Sequence, residues 1–168
     1  SWAYIDMSMY AAALVEVAFL DELNGFAAGR NGQGGIILRT TDGGLSWTEV
    51  FNSDVSGDYV WKLQVLYSNP NIIFGSVYSI SPNLGRLIKS EDGGTTWASY
   101  EIPEYEILGV GFVSESKGWI GGDFNGLYET TDGGLNWSFI DLGGDLNKIQ
   151  LINSTLAYAA GYSIYKFT

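Results

Sequence analysis

One turn recurs three times in the chain, and its spacing limits the folds open to it. Thr40-Thr41-Asp42-Gly43-Gly44-Leu45-Ser46-Trp47, Ser90-Glu91-Asp92-Gly93-Gly94-Thr95-Thr96-Trp97 and Thr130-Thr131-Asp132-Gly133-Gly134-Leu135-Asn136-Trp137 match in order, with their Trp residues 50 and 40 positions apart. An Asp ahead of two Gly accepts backbone N–H bonds inside a tight turn, while Gly supplies positive φ. The Ser and Thr hydroxyls add local backbone bonds. Each turn follows an apolar run (Ile36-Ile37-Leu38, Leu87-Ile88, Leu127-Tyr128) and precedes a strand-like one (48–51, 98–102, 138–142).

Further upstream, apolar runs ending at Phe19, Leu66, Phe112 and Leu151 are each followed by a second β-rich run, at 25–29, 72–76, 118–122 and 157–161. Each unit reads as a four-stranded antiparallel meander of about 40–45 residues, the length of a propeller blade. The predicted fold is therefore an all-β propeller in one domain, with blades near 11–52, 58–103, 105–142 and 145–168. The fourth unit stops before its outer strand. Ser1-Trp2-Ala3-Tyr4-Ile5-Asp6 reads like Asn136-Trp137-Ser138-Phe139-Ile140-Asp141. The N-terminal strand is thus expected to complete the last blade and close a four-bladed ring, with Trp2 equivalent to the three turn Trp residues. Closure hides blade edges that would otherwise pair with other chains. A part of a larger ring, or two half-rings pairing, are the competing readings; a monomer is expected, a half-ring dimer the alternative.

Composition narrows the function. Hydrophobic residues at 46% and charged residues at 16% exclude a disordered acidic tail, and 23 Gly with 15% aromatics suit short strands joined by tight turns. A net charge of −11 leaves no basic patch for nucleic acid or an anionic membrane surface. Cys and His are absent, which removes disulfides, His or Cys metal ligation and every catalytic scheme built on those residues. No metal and no cofactor are expected. No apolar run is long enough to span a membrane as a helix, so membrane insertion is not expected. A chain starting at Ser1 reads as a mature domain, secreted or at the cell surface.

The repeated turn resembles the Asp-box, or bacterial neuraminidase repeat, Ser/Thr-x-Asp-x-Gly-x-Thr/Ser-Trp. Asp42, Asp92 and Asp132 with Trp47, Trp97 and Trp137 fit it, and Asn136 is the one departure, at the seventh position. The surrounding sequence is most similar to photosystem II stability/assembly factor-like propellers and to secreted bacterial propellers with the same repeat. That resemblance implies a propeller in which these Asp and Trp residues are structural. It does not transmit an activity, since sialidases, xyloglucanases and receptors share the box.

Strand alternation puts the loops that follow each second strand on the face away from the repeated turns, the working face in sialidase-like propellers. Arg30, Tyr78, Asp123 and Tyr162 fall at nearly equivalent positions there and would ring one channel mouth. Arg offers a forked donor set and Tyr a ring plus a hydroxyl, as sugars and peptides favour. The second unit has the longest loops, 52–59 and 78–83, and Tyr59, Trp61 and Tyr78 could form an aromatic platform; for Trp61 a core position at the start of the next strand is the competing and favoured reading. Trp119 and Tyr158 share the phase of Phe26 and read as core.

The favoured function is a non-enzymatic binding module for a glycan or protein ligand. A sialidase-like glycosidase is one alternative; it needs three Arg to converge, and only Arg30, Arg39 and Arg86 exist. Asp123 and Asp145 are the carboxylate pair it would use. A protein-complex assembly factor is the other alternative.

Overall fold

The computed structural model describes residues 2–80 and 82–168. The described residues form fifteen antiparallel strands in four consecutive sheets. Blade 1 holds β1 (Ala13–Phe19), β2 (Gly25–Arg30), β3 (Gly35–Thr40) and β4 (Thr48–Asn52). Blade 2 holds β5 (Tyr59–Val65), β6 (Ile73–Tyr78), β7 (Arg86–Ser90) and β8 (Ala98–Glu101). Blade 3 holds β9 (Ile107–Phe112), β10 (Gly118–Gly122), β11 (Gly126–Thr130) and β12 (Ser138–Asp141). Blade 4 holds β13 (Leu146–Asn153), β14 (Leu156–Gly161) and β15 (Ile164–Phe167). Each sheet is a simple meander, and the whole is a β-propeller architecture.

The core lies between blades. Phe26 and Ile37 of blade 1 pack on Val60, Leu63 and Ile88 of blade 2. Phe74 and Leu87 of blade 2 pack on Val110, Phe112 and Ile120 of blade 3. Trp119 of blade 3 packs on Leu146, Ile149 and Ala159 of blade 4. Strand alternation explains this: neighbouring residues on β3 or β7 point to opposite sides, so each blade presents one apolar face forward and one back. Register fixes the equivalences. Val17, Leu63, Val110 and Ile149 pair with Ala27, Gly75, Ile120 and Ala159, so they occupy one position. By the same pairing Val65, rather than Leu66, matches Phe19, Phe112 and Leu151.

The three turns have one chemistry. Thr40 Oγ1 accepts from Gly44 N at 2.9 Å and donates to Asp42 Oδ1 at 2.8 Å. Asp42 then accepts from Ser46 N at 2.9 Å and Ser46 Oγ at 2.6 Å. Ser90, Asp92 and Thr96 repeat the pattern. So do Thr130, Asp132 and Asn136, where the Asn136 amide donates to Asp132 Oδ2 at 2.7 Å and replaces the missing hydroxyl. Both glycines of each turn have positive φ, from +70° to +97°. Bonds from residues 46, 96 and 136 hold the carboxyls of Asp42, Asp92 and Asp132 down at about 2, against an ordinary 3.8.

An acid dependence follows. A carboxylate with a depressed folded value stabilises the fold fully above 3.8, and that stabilisation is lost as pH falls towards 2. The melting temperature should drop across this window. The combined Asp42→Asn, Asp92→Asn and Asp132→Asn variant should start lower and show a shallower drop. An equally steep drop in the triple variant would place the acid sensitivity elsewhere.

Among the described residues, 2–6 carry no strand and the last sheet shows three, ending at β15, so the expected pairing of the N-terminal segment with blade 4 is not seen; Ser1 lies outside the described residues. Trp2 is fully exposed and not equivalent to the turn Trp residues. The chain instead lays Met7, Tyr10 and Ala11 over Ala27, Ile36 and Leu38 on the back face of blade 1. Tyr158 holds the phase of Phe26 but is partly exposed rather than in the core, since no described blade packs over its ring.

Candidate functional site

The face opposite the repeated turns gathers side chains from three blades. Tyr59 opens β5 and Tyr78 closes β6, and the register makes them direct cross-strand partners. Their ring centroids are 6.4 Å apart and nearly perpendicular, an edge-to-face arrangement. A bulge between Val60 and Lys62 leaves Trp61 outside the ladder, and its ring lies 5.9 Å from both tyrosines. Trp61 is therefore half-buried beside the innermost strands rather than in the core. It borders a hollow of about 210 Å³ together with Val15, Glu16, Lys62, Leu108 and Lys148.

Blades 1 and 3 flank these rings with opposite charges. The Arg30 guanidinium sits 4.8 Å from the Tyr59 ring centroid. On the other side, the Tyr78 hydroxyl donates to Glu106 Oε1 at 3.1 Å. Asp123 N donates to the Glu106 carbonyl at 3.3 Å. Asp145 of the next connection accepts from Asn125 N at 3.0 Å, with Asn125 in the left-handed region. Burial raises the Asp123 carboxyl above its usual range, and the charges of Asp145 and Glu106 push it further. Burial likewise raises the Tyr78 hydroxyl, with Glu106 adding to it. The result is an aromatic surface with a cation at one end and paired carboxyl groups at the other.

Four of the five residues singled out in the sequence, Arg30, Tyr59, Tyr78 and Asp123, fall in this cluster. Tyr162 does not: it is exposed, and its ring makes no contact with the other aromatics among the described residues. The Asp145 charge acts on the Asp123 carboxyl, so these two carboxyl groups share one end of the site. The three arginines do not converge as free donors: Arg86 starts β7 on the face that carries Arg30, but its guanidinium is taken by Asp58. Arg39 donates to Thr95 Oγ1 at 3.0 Å on the turn side. Sequence places Trp61 in the platform only as the less favoured of two readings, and does not place Glu106 in it. The signal for Trp61 was present: buried Val60 and Leu63 stand three apart, which an alternating strand cannot accommodate without a bulge.

No protein-family model and no curated protein matches the chain. Solved propellers do. A YCF48 structure from Cyanidioschyzon merolae superposes with a TM-score of 0.69 at 20% identity, over 94% of this chain and 52% of that one. YCF48 bound to a D1 peptide gives 0.67 at 17% identity, covering 94% and 50%. A GH74 xyloglucanase from Xanthomonas campestris gives 0.70 at 12% identity, covering 94% and 29%. These likenesses establish the propeller fold. The chain spans about half the length of the YCF48 structures, and the neighbours include both enzymes and a peptide-bound propeller.

Proposed function

We propose that the chain is a non-enzymatic binding module, secreted or displayed at a cell surface, built on Asp-box turns. Its loop face takes a glycan or an extended protein segment. The observation that carries this reading is the Tyr59–Trp61–Tyr78 cluster between Arg30 and the Glu106/Asp123 pair. Rings offer flat apolar area with little rotamer entropy to lose, and the flanking charges fix ligand orientation. Arg39 lies on the turn side and Arg86 is taken by Asp58, which speaks against the sialidase scheme, with its three Arg on one substrate carboxylate. The peptide-bound YCF48 structure is a precedent for protein recognition on this fold.

A second reading is a glycoside hydrolase. It rests on the raised Asp123 carboxyl beside Asp145, since two carboxyl groups pushed apart in proton affinity suit acid and base roles. A protein-complex assembly factor is the third. One panel of glycans and peptides, read for retention and for released product, separates them. Retention without product, reduced roughly 30-fold or more in affinity by Trp61→Ala or Tyr78→Ala, supports the module. Product that disappears in Asp123→Asn would overturn it in favour of the hydrolase.

A further inference from the structure

The innermost strands of all four blades share one irregularity. Each ladder skips a residue near its loop-face end: Val15 in β1, Trp61 in β5, Leu108 in β9 and Asn147 in β13. Bulges of this kind re-aim the side chain they leave out. Here all four line the one hollow of about 210 Å³ beside the aromatic cluster. The next residues along these strands are Glu16, Lys62, Gly109 and Lys148. Three of them bring charge into the same hollow, and Gly109, on the strand between the two lysines, adds no side chain to it. Lys62 gives two of its three N–H groups to the Glu16 oxygens, each at 2.7 Å, and keeps one free of them. Lys148 has no acidic partner among the described residues. One carboxylate against two ammonium groups leaves a single positive charge, in a chain of net charge −11. Lys62 and Lys148 also line a second hollow of about 340 Å³, together with Gln64 and Gln150, so they stand where the two hollows meet.

We propose that this hollow takes the carboxylate of a hexuronic acid residue, held between Lys62 and Lys148 with the sugar ring against Trp61. The proposal rests on the loop-face reading in that the rest of the glycan runs over Tyr59 and Tyr78. A single uncompensated positive charge matches a monoanion, whereas a dianion such as phosphate would also face the Glu16 carboxylate. Val15, Leu108 and Trp61 give the hollow apolar walls, and a charge-assisted hydrogen bond gains strength where water is displaced. An indole and two ammonium groups on one small hollow ask for a flat ring that carries its own charge. A uronic acid has that shape; a peptide carboxylate has no ring beside it. The sugar hydroxyls are donors for the carboxyl groups at the other end of the site, and the Asn147 amide offers both a donor and an acceptor. The acidic surface and the Glu106, Asp123 and Asp145 group oppose a polyanion. The uronic acid is therefore the end residue of an otherwise neutral glycan.

Methyl β-glucuronide and methyl β-glucoside differ only at C6 and serve as the probes, titrated calorimetrically into the purified chain at low salt. The glucuronide is expected to bind at least about 10-fold more tightly. Lys148→Met, at an exposed position, should remove that preference. Glu16→Gln should tighten the glucuronide several-fold, because the hollow then carries two unopposed positive charges. The preference should shrink as salt rises from about 20 to 300 mM. Equal binding of the two probes, no glucuronide binding at about 10 mM, a preference that survives Lys148→Met, or weaker binding in Glu16→Gln would each overturn the proposal. The wider reading fails separately. Neutral glycans or peptides retained with no preference for the glucuronide would keep the binding module and overturn the uronate site. A glucuronide preference lost in Lys148→Met, with no larger glycan or peptide retained, would keep the site and overturn the module.

Discussion

Asp58→Ala is expected to lower the unfolding free energy by about 3–5 kcal/mol. Asp58 sits in the connection before β5, nearly inaccessible to water, and its carboxylate is bound to the Arg86 guanidinium on β7. Gly57, at φ +97°, makes the turn that delivers it, and Asp58 N donates to the Val55 carbonyl at 3.1 Å. Removing the carboxylate leaves a largely buried guanidinium without its counter-charge, and that penalty exceeds anything the same pair would contribute at the surface. Replacing both partners at once, Asp58→Leu with Arg86→Met, should cost far less, since the uncompensated charge disappears with its partner. Urea unfolding followed by tryptophan fluorescence measures all three proteins. A loss below about 1 kcal/mol for Asp58→Ala would make this an ordinary solvent-screened ion pair. The consequence reaches the site: Asp58 precedes Tyr59 directly, so the pair holds the loop from which the aromatic cluster starts.

Asp58 also marks the boundary of what the sequence reveals. The repeated turn was fully legible, because its bonds are local: Asp42 reaches only Thr40 and Ser46, and those residues travel together in the chain. Strand order and blade count follow from such local units. The Asp58–Arg86 bond joins residues 28 apart through a connection with no counterpart in the other units, so no periodicity announces it. The site divides in the same way. Arg30, Tyr78 and Asp123 were found because equivalent loops share a face. Glu106 was missed because its role depends on which hydroxyl lies across the blade junction, a matter of side-chain reach rather than spacing. The N-terminal segment is least legible, because similarity of 1–6 to 136–141 identifies a kind of strand and carries no pairing partner, and no strand is formed at 2–6.

Phe112→Ala is expected to cost about 3–5 kcal/mol. Phe112 closes β9 and Phe74 lies in β6 of the preceding blade; both are fully buried, with ring centroids 3.6 Å apart and planes within 5° of parallel. Trp137 meets Phe112 edge-on at 6.4 Å, so truncation removes a ring touching two aromatics and opens a cavity that a sheet-on-sheet junction cannot collapse to fill. Phe112→Leu, which keeps most of the apolar volume, should cost much less. The opposite disturbance tests the same packing. The Phe112 ring lies flat over Gly118, its partner on β10, where a Cβ would collide with it. Gly118→Ala should therefore displace the ring and cost about 1–3 kcal/mol by overpacking, although alanine is not otherwise disfavoured at this extended position. Urea unfolding followed by tryptophan fluorescence reads both variants. If Phe112→Ala loses no more than an exposed substitution does, about 0.5 kcal/mol, the blade 2–blade 3 junction is not what holds the series of blades together.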